Sequence, residues 1–407
     1  MHDCRFCGAS LRVVFADLGT SPPSNAFLRA DQLDQAEAHF PLCAYVCESC
    51  WLVQLPAFQR PEEIFADYAY FSSYSSTWLA HAERYAAMAK ARFGLGPQSL
   101  VVEVASNDGY LLRNFQAAGI PVLGIEPAAN VAAAANAAGI PTRAVFFGAV
   151  TAAGLAAEGQ RADLLVGNNV LAHVPDLNDF VAGLAIALKV DGVLTMEFPH
   201  LLRLIADNQF DTIYHEHFSY FSLATVRRVF ASHGLRIFDV EELDTHGGSL
   251  RIFACLEAAP HASIAAVPAL VERERAAGLE RRDTYVEFND SVRRTKRALL
   301  AFLIEAKAAG KSVVGYGAPA KGNTLLNFCG VRTDFIDFTV DISPHKQGLF
   351  LPGSRIPILA PAAIAEARPD YVLILPWNLK DEIVAQMGHI RDWGGRFVVP
   401  VPRLEVF

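Results

Sequence analysis

Residues 211–222, Asp-Thr-Ile-Tyr-His-Glu-His-Phe-Ser-Tyr-Phe-Ser, hold the densest polar and aromatic cluster in the chain. His215 and His217 flank Glu216, with Tyr214 and Tyr220 alongside. An imidazole titrates near neutral pH and its second nitrogen can be fixed by a neighbour, so the cluster suits a general base with an orienting carboxylate. In an extended segment alternate residues share a face, which would put Tyr214 and Glu216 on one side and His215 and His217 on the other. The spacing is not H-E-x-x-H, so no zinc-hydrolase helix is indicated, although His and Glu are metal ligands by type. A satisfied polar loop would have the same composition.

A second constellation lies upstream, in Val101 to Leu112. Val101, Val102 and Val104 predict a buried strand carrying Glu103, followed by the small-residue loop Ala105-Ser-Asn107-Asp108-Gly109 and a helix beginning at Tyr110. The strand Val122 to Ile125 ends in Glu126 and Pro127, roughly 20 residues after the loop, where an acid can bind the two hydroxyls of a ribose. A dinucleotide needs G-x-G-x-x-G so that its pyrophosphate lies on bare amides. Here only Gly109 is glycine, and Glu103 and Asp108 bring negative charge to that spot. S-adenosylmethionine, with a sulfonium, an ammonium and a ribose but no phosphate, suits the loop better; an ordinary strand-to-helix turn is the alternative. A later strand, Ala162 to Gly167, should deliver Asn168 and then His173 to the same carboxyl edge.

Cys4 and Cys7 form one C-x-x-C, and Cys47 and Cys50 another, with 39 residues between the pairs. Two such knuckles present four thiolates tetrahedrally to zinc, and with every position filled by protein the metal is structural. The segment after Pro61 is rich in aromatics, and the hydroxyls of Tyr68 and Tyr70 stand where a loop could close over a polar substrate; packing is the simpler reading. Towards the C-terminus, a strand opens into Tyr316-Gly-Ala-Pro-Ala-Lys321-Gly322, a small-residue turn whose lysine suits an anionic ligand such as a pyrophosphate. Asp341 ends the next strand, where it could meet a ribose, and Trp377 could meet a base. The segment His246 to Arg251 places two glycines beside a cation: a phosphate contact or a hairpin turn.

These residues need three layers of scaffold. The chain has 407 residues, enough for two or three cores, and 52% hydrophobic against 19% charged residues argues for buried α/β layers. A net charge of -8 without a Lys/Arg block speaks against a nucleic-acid partner. No apolar run approaches the ~20 residues of a membrane span, the N-terminus lacks a signal-peptide pattern, and the expected location is cytoplasmic. Nothing in the chain sets an oligomeric state. The expected division is a zinc-binding module over 1–75, a cofactor domain over 76–260, a helical connector over 261–309 and a second α/β domain over 310–407. The connector is expected to be helical from about Ile264 to Ala309.

The order of parts resembles the nucleotide-sugar C-methyltransferases, among them the tetronitrose and mycarose carbon-3 enzymes. The resemblance rests on the four-cysteine module, the ASNDG loop, YHEHFSY, HGGSLR and GYGAPAKG in sequence, and it spans essentially the whole chain. It implies a class I (Rossmann-like) S-adenosylmethionine-dependent methyltransferase domain, with a Rossmann-like C-terminal domain that binds the nucleotide sugar. The implied substrate is a dTDP-linked 4-keto-6-deoxy sugar methylated on carbon 3, with an active site between the middle and C-terminal domains. By motif match His217 is the base, Glu216 and Tyr214 its neighbours, His173 a further active-site histidine, and Tyr68 or Tyr70 a sugar contact. Arg251, Tyr316, Lys321 and Asp341 are the expected substrate contacts. The competing readings are a sugar O-methyltransferase and a non-catalytic zinc-bearing protein that binds the cofactor or a nucleotide sugar.

Overall fold

The structure, a computed structural model, describes residues 2–60, 72–74 and 76–407; Tyr68 and Tyr70 lie outside the described residues. The Val101–Val104 strand is buried at every position, Glu103 included, as a valine-rich strand covered on both faces should be. It sits within a seven-stranded sheet. From edge to edge the strands are Leu235–Leu243, Ser249–Leu256, Leu188–Pro199, Ala162–Asn168, Val101–Val104, Val122–Ile125 and Thr142–Arg143. In chain order this is 6-7-5-4-1-2-3. The first five strands of this sheet in chain order run parallel, and Ser249–Leu256 runs antiparallel to both its neighbours. That order is the class I methyltransferase sheet. Strand order reverses between Val101–Val104 and Ala162–Asn168, which opens a crevice at their carboxyl ends.

The C-terminal sheet has the order Ile358–Leu359, Thr339–Val340, Val313–Tyr316, Tyr371–Ile374, Arg396–Val399, Glu405–Val406. Counted along the chain this is 3-2-1-4-5-6, parallel except for the last strand, and its own reversal lies beside Val313–Tyr316. The N-terminal module is a four-stranded antiparallel sheet of Val13–Ser21, Phe40–Val46, Val53–Gln54 and Ser219–Tyr220. Its last strand comes from the histidine-rich segment, more than 150 residues downstream of the module. No sequence period announces such a pairing.

The expected single connector helix is two: Ala266–Ala276 and Arg282–Ala308. Gly278, at φ +86°, ends the first with a left-handed turn, the usual glycine stop signal. Pro268 sits in the first turn, where its missing N–H costs nothing. The second helix, about 40 Å long, buries Tyr285, Phe288, Val292, Thr295, Leu299, Leu303 and Ala306, a stripe at three- and four-residue spacing. Phe288 stacks on Phe15 of the Val13–Ser21 strand at 4.4 Å between ring centroids. One continuous apolar core therefore joins the N-terminal sheet, this helix and the C-terminal domain. A second core joins Cys4, Cys47 and Cys50 to one face of the seven-stranded sheet, so the N-terminal module is packed against both of its neighbours. Among the described residues no helix is long and apolar enough to cross a membrane.

Candidate active site

The loop after Val104 is built on left-handed residues, Ala105 (φ 56°), Asn107 (φ 51°) and Gly109 (φ 79°). A Cβ on Gly109 would lie 2.9 Å from Ile140 Cγ1, so both φ and space demand glycine there. Glu126 holds the loop open: its carboxylate accepts the Asn107 N–H at 3.0 Å and the Ala128 N–H, just past Pro127, at 2.9 Å. Each oxygen keeps a second lone pair for an incoming hydroxyl. The Ser72 N–H donates to Asn107 Oδ1 at 2.8 Å and the Ser73 N–H to Asp108 Oδ2 at 3.2 Å, laying the chain before helix Ser76–Phe93 across the loop.

Two groups beside this loop are buried and unsatisfied. One Glu103 oxygen and both amide atoms of Asn168 have no hydrogen-bond partner among the described residues. Burial, together with Glu126, Asp108 and Glu197, holds the Glu103 carboxyl well above the ordinary carboxylate value. A cationic ligand bearing ribose hydroxyls answers both deficits, and the donor set therefore fits S-adenosylmethionine. Gly109→Ala should weaken methyl-donor binding by about tenfold, because forcing a Cβ into the left-handed region costs roughly 1–2 kcal/mol. Calorimetric titration checks this, and unchanged affinity would show that the loop tolerates the shift.

The histidine cluster does not alternate as an extended strand would. The Tyr214 carbonyl accepts the His217 N–H at 2.9 Å, closing a turn that folds the Tyr214 ring back onto His217 at 4.0 Å between centroids. His217 Nδ1 faces the Thr212 carbonyl at 2.9 Å, which can only accept, so Nδ1 carries the proton. Nε2 is then the basic nitrogen, and the Tyr214 hydroxyl donates to it at 2.9 Å. Burial, reinforced by His173, keeps His217 well below the ordinary histidine value and hence neutral. His173, whose ring lies 4.7 Å from that of His217, is lowered to about 4 by burial. His215 turns away and approaches the Pro41 carbonyl of the N-terminal sheet.

Glu216 does not orient His217, contrary to expectation. Its carboxylate accepts from Asn25 Nδ2 of the N-terminal module at 2.6 Å, and burial raises its pKa. A backbone carbonyl does the orienting instead. Sequence reasoning had no route to Asn25, which is distant in the chain and stands in a polar turn.

Behind the cluster stands the C-terminal domain. Asp211 is fully buried, accepts the Trp377 indole N–H at 2.7 Å and is pushed up to about 6 by burial. The Lys321 ammonium lies over the Trp377 ring at 4.4 Å and donates to Asn378 Oδ1 at 2.8 Å. Burial lowers Lys321, and its charge is felt at both Asp211 and His217. Gly247 lets the hairpin after Leu243 press against this wall, since a Cβ there would be 2.7 Å from Trp377. The HGG segment is thus a hairpin turn. Asp211 was missed as a functional residue; a carboxylate embedded in the apolar run Phe210 to Tyr214 was the available signal.

Two expected substrate contacts are committed elsewhere. Arg251 is cross-strand from both Glu197 and Glu241 and ion-pairs with both, at 2.6 and 2.8 Å, so its charge is spent inside the sheet. Tyr316 lies in the core with its hydroxyl donating to Gln386 at 3.3 Å. Asp341 accepts the Ala318 and Ser343 N–H groups, both at 2.8 Å. That is the device Glu126 uses: an acid ending the second strand caps the first loop and the amide two residues beyond itself, and each Asp341 oxygen likewise keeps a lone pair for an incoming hydroxyl. Of the four expected contacts, Lys321 alone stands at the wall behind His217.

The Sγ atoms of Cys4, Cys7, Cys47 and Cys50 all lie within 4.8 Å of one another, with two pairs at 3.6 Å. Tetrahedral zinc thiolate geometry puts sulfurs about 3.8 Å apart, so the four fit the metal and leave no position for substrate.

Family models match in the same order. A zinc binding domain covers residues 4–65, a methyltransferase domain 78–240 and a C-methyltransferase C-terminal domain 244–402. The C-methyltransferase NovU of Streptomyces niveus is 39% identical over 406 residues, covering 100% of this chain and 97% of NovU. Among solved structures, magnesium protoporphyrin IX methyltransferase from Synechocystis PCC 6803 with bound SAH is 17% identical, over 47% of this chain and 91% of that one, with a TM-score of 0.35. A SAM-dependent methyltransferase from Thermotoga maritima is 15% identical over 49% and 100%, with a TM-score of 0.36. At such scores the superpositions carry no argument, and strand order assigns the fold. Full-length similarity to NovU does decide the family: the chain belongs to the S-adenosylmethionine-dependent C-methyltransferases that carry an N-terminal zinc-binding domain.

Proposed function

We propose that the protein methylates a carbon beside the ketone, carbon 3 with carbon 5 as the alternative, of a dTDP-linked 4-keto-6-deoxy sugar, with His217 as the base. The observation that carries this reading is the half-buried His217, whose Nε2 is held as an acceptor by the Nδ1–H bond to Thr212, with burial lowering its pKa. A proton on a carbon next to a ketone is acidic because the electron pair left behind becomes an enolate. Nε2 takes that proton, and the C–H pair moves towards the ketone oxygen. The Tyr214 hydroxyl, already pointing at Nε2, and the His173 ring are the donors nearest the developing oxyanion. When bound, S-adenosylmethionine supplies the electrophilic methyl group that completes the carbon–carbon bond.

The substrate class is supported by the motif combination and by the wall formed by Lys321 and Trp377. A half-exposed ammonium above an indole suits a diphosphate or the sugar oxygens near it. Its distance from the donor loop along the chain, together with its closeness to His217 in space, fits a sugar held between the two Rossmann-like layers. The test is to incubate the protein with a dTDP-4-keto-6-deoxy sugar in deuterated water without methyl donor. NMR should show deuterium entering at carbon 3. Methyl transfer to a hydroxyl with no exchange at carbon would replace this reading with O-methylation, and tight binding without either would leave a binding protein.

A further inference from the structure

The zinc-binding module reaches the catalytic turn through one side chain. Arg5 follows the first cysteine of the first knuckle. Its Nη1 donates to the Pro175 carbonyl at 2.8 Å and its Nη2 to the Leu55 carbonyl. The guanidinium also lies 5.4 Å from the ring centre of Phe218. Pro175 is two residues past His173, and Phe218 is the residue after His217. The same places are joined by backbone: the Leu55 N–H donates to the Phe218 carbonyl at 3.0 Å, and the Phe218 N–H to the Ala172 carbonyl at 2.7 Å. On the other side Arg5 is tied to the metal knuckle. Its own N–H donates to Gln54 Oε1 at 2.9 Å, and Gln54 Nε2 donates to Cys4 Sγ at 3.1 Å.

We infer that Arg5 is a positioning residue, which sets the spacing of His173 and His217 by clamping the segments that carry them to the four-cysteine knuckle. The clamp rests on the reading of these two histidines as catalytic. Three features favour it over a simple packing role. The two carbonyls Arg5 bridges come from segments about 120 residues apart, so the rigid planar fork of a guanidinium fixes a distance that no local hydrogen bond can. Its Nε is buried with no partner among the described residues, so the side chain is held in place by these two bonds and the ring below. Its attachment to Gln54 continues into the strand pair Gln54 and Ser219, two residues beyond His217. A four-thiolate zinc centre carries net negative charge, and the cation beside it gains a fixed electrostatic anchor.

The experiment uses the full chain with cobalt(II) in place of zinc, whose visible absorption reports an intact tetrahedral thiolate site. Arg5→Gln and Arg5→Lys are compared with wild type for cobalt spectrum, methyl-donor affinity, kcat and KM, the pH profile of kcat/KM, and the 15N resonances of labelled histidines. In Arg5→Gln we expect unchanged cobalt bands and donor affinity within twofold. We also expect kcat lower by about 30-fold, the range seen when an outer support of a site is lost, a displaced acid limb of kcat/KM, and moved His173 and His217 resonances. Arg5→Lys, which keeps the charge and can reach one carbonyl, should recover part of the loss. A kcat within twofold of wild type in Arg5→Gln overturns the inference. Cobalt bands lost in proportion to kcat in both variants also overturn it, since Arg5 would then merely hold the metal module. If Arg5→Gln does not fold, Arg5→Lys decides by the same measurements. Should the two histidines prove not to be catalytic, the resonance shifts would still appear while kcat would not follow them.

Discussion

His217→Asn should lower kcat by roughly a thousandfold, in the middle of the range for a lost general base, while methyl-donor affinity stays within twofold. Asparagine can still offer an N–H to the Thr212 carbonyl, so the turn closed by the Tyr214 carbonyl and the His217 N–H should survive. What it lacks is the basic Nε2 that Tyr214 addresses. The groups expected to set donor affinity are a different set, Glu103, Glu126, Asn168 and the left-handed loop at Asn107. The acid limb of kcat/KM in the wild type should lie below pH 6.5, because burial lowers the imidazole and the neutral form persists to more acid pH. Stability follows the same sign. His173, lowered to about 4, contributes stability that is fully present above pH 6.5 and is lost as pH falls from 6.5 towards 4, where the unfolded chain binds the proton and the folded one resists it. Near-normal turnover in His217→Asn would remove this residue from the role of base, and Tyr214 would become the group to test.

Cys47→Ser should release the metal and lower the melting temperature by at least about 10 °C, a shift of several kcal/mol in a chain of this size. Structural zinc contributes on the order of 10 kcal/mol of apparent folding free energy in small metal-dependent domains. Cys47 is 1% exposed, its Sγ stands 3.6 Å from that of Cys7, and its backbone N–H and carbonyl close the second knuckle on Leu52 and Trp51. The loss should not stay in the N-terminal module. Trp51 stacks on Tyr285 at 5.8 Å, and the Val13–Ser21 strand shares its core with the long helix and the C-terminal sheet. Calorimetry and metal analysis by mass spectrometry check both parts. A variant that keeps one metal per chain and the wild-type melting temperature would show that three thiolates suffice.

Local pattern was enough for the elements that a chain builds from its neighbours. The valines at 101, 102 and 104, the small-residue loop to Gly109 and the acid at Glu126 state a strand, a turn and a candidate ligand group within a few residues. The paired C-x-x-C knuckles state a metal site in the same way. The helix-to-helix break at Gly278 was legible too, as a glycine in a helical pattern, but weighed less than the long run of helix formers around it. Alternation failed at Tyr214 to His217. A single i to i+3 backbone bond turned the segment, and the side chains that alternation separated, Tyr214 and His217, became hydrogen-bonded partners.

The amino-acid sequence by itself determined the class I sheet, the second Rossmann-like layer, the four-thiolate site and the presence of a histidine cluster, because each depends on residue types a few positions apart. Tertiary structure alone decided which groups meet His217. Thr212 rather than Glu216 orients it, Asn25 takes Glu216, Glu197 and Glu241 consume the charge of Arg251, and Asp211 faces Trp377 across a domain boundary. The reason is physical. A buried charge or amide must find whatever partner the packed layers bring within about 3 Å, and the identity of that partner is set by how three separately encoded layers close upon one another.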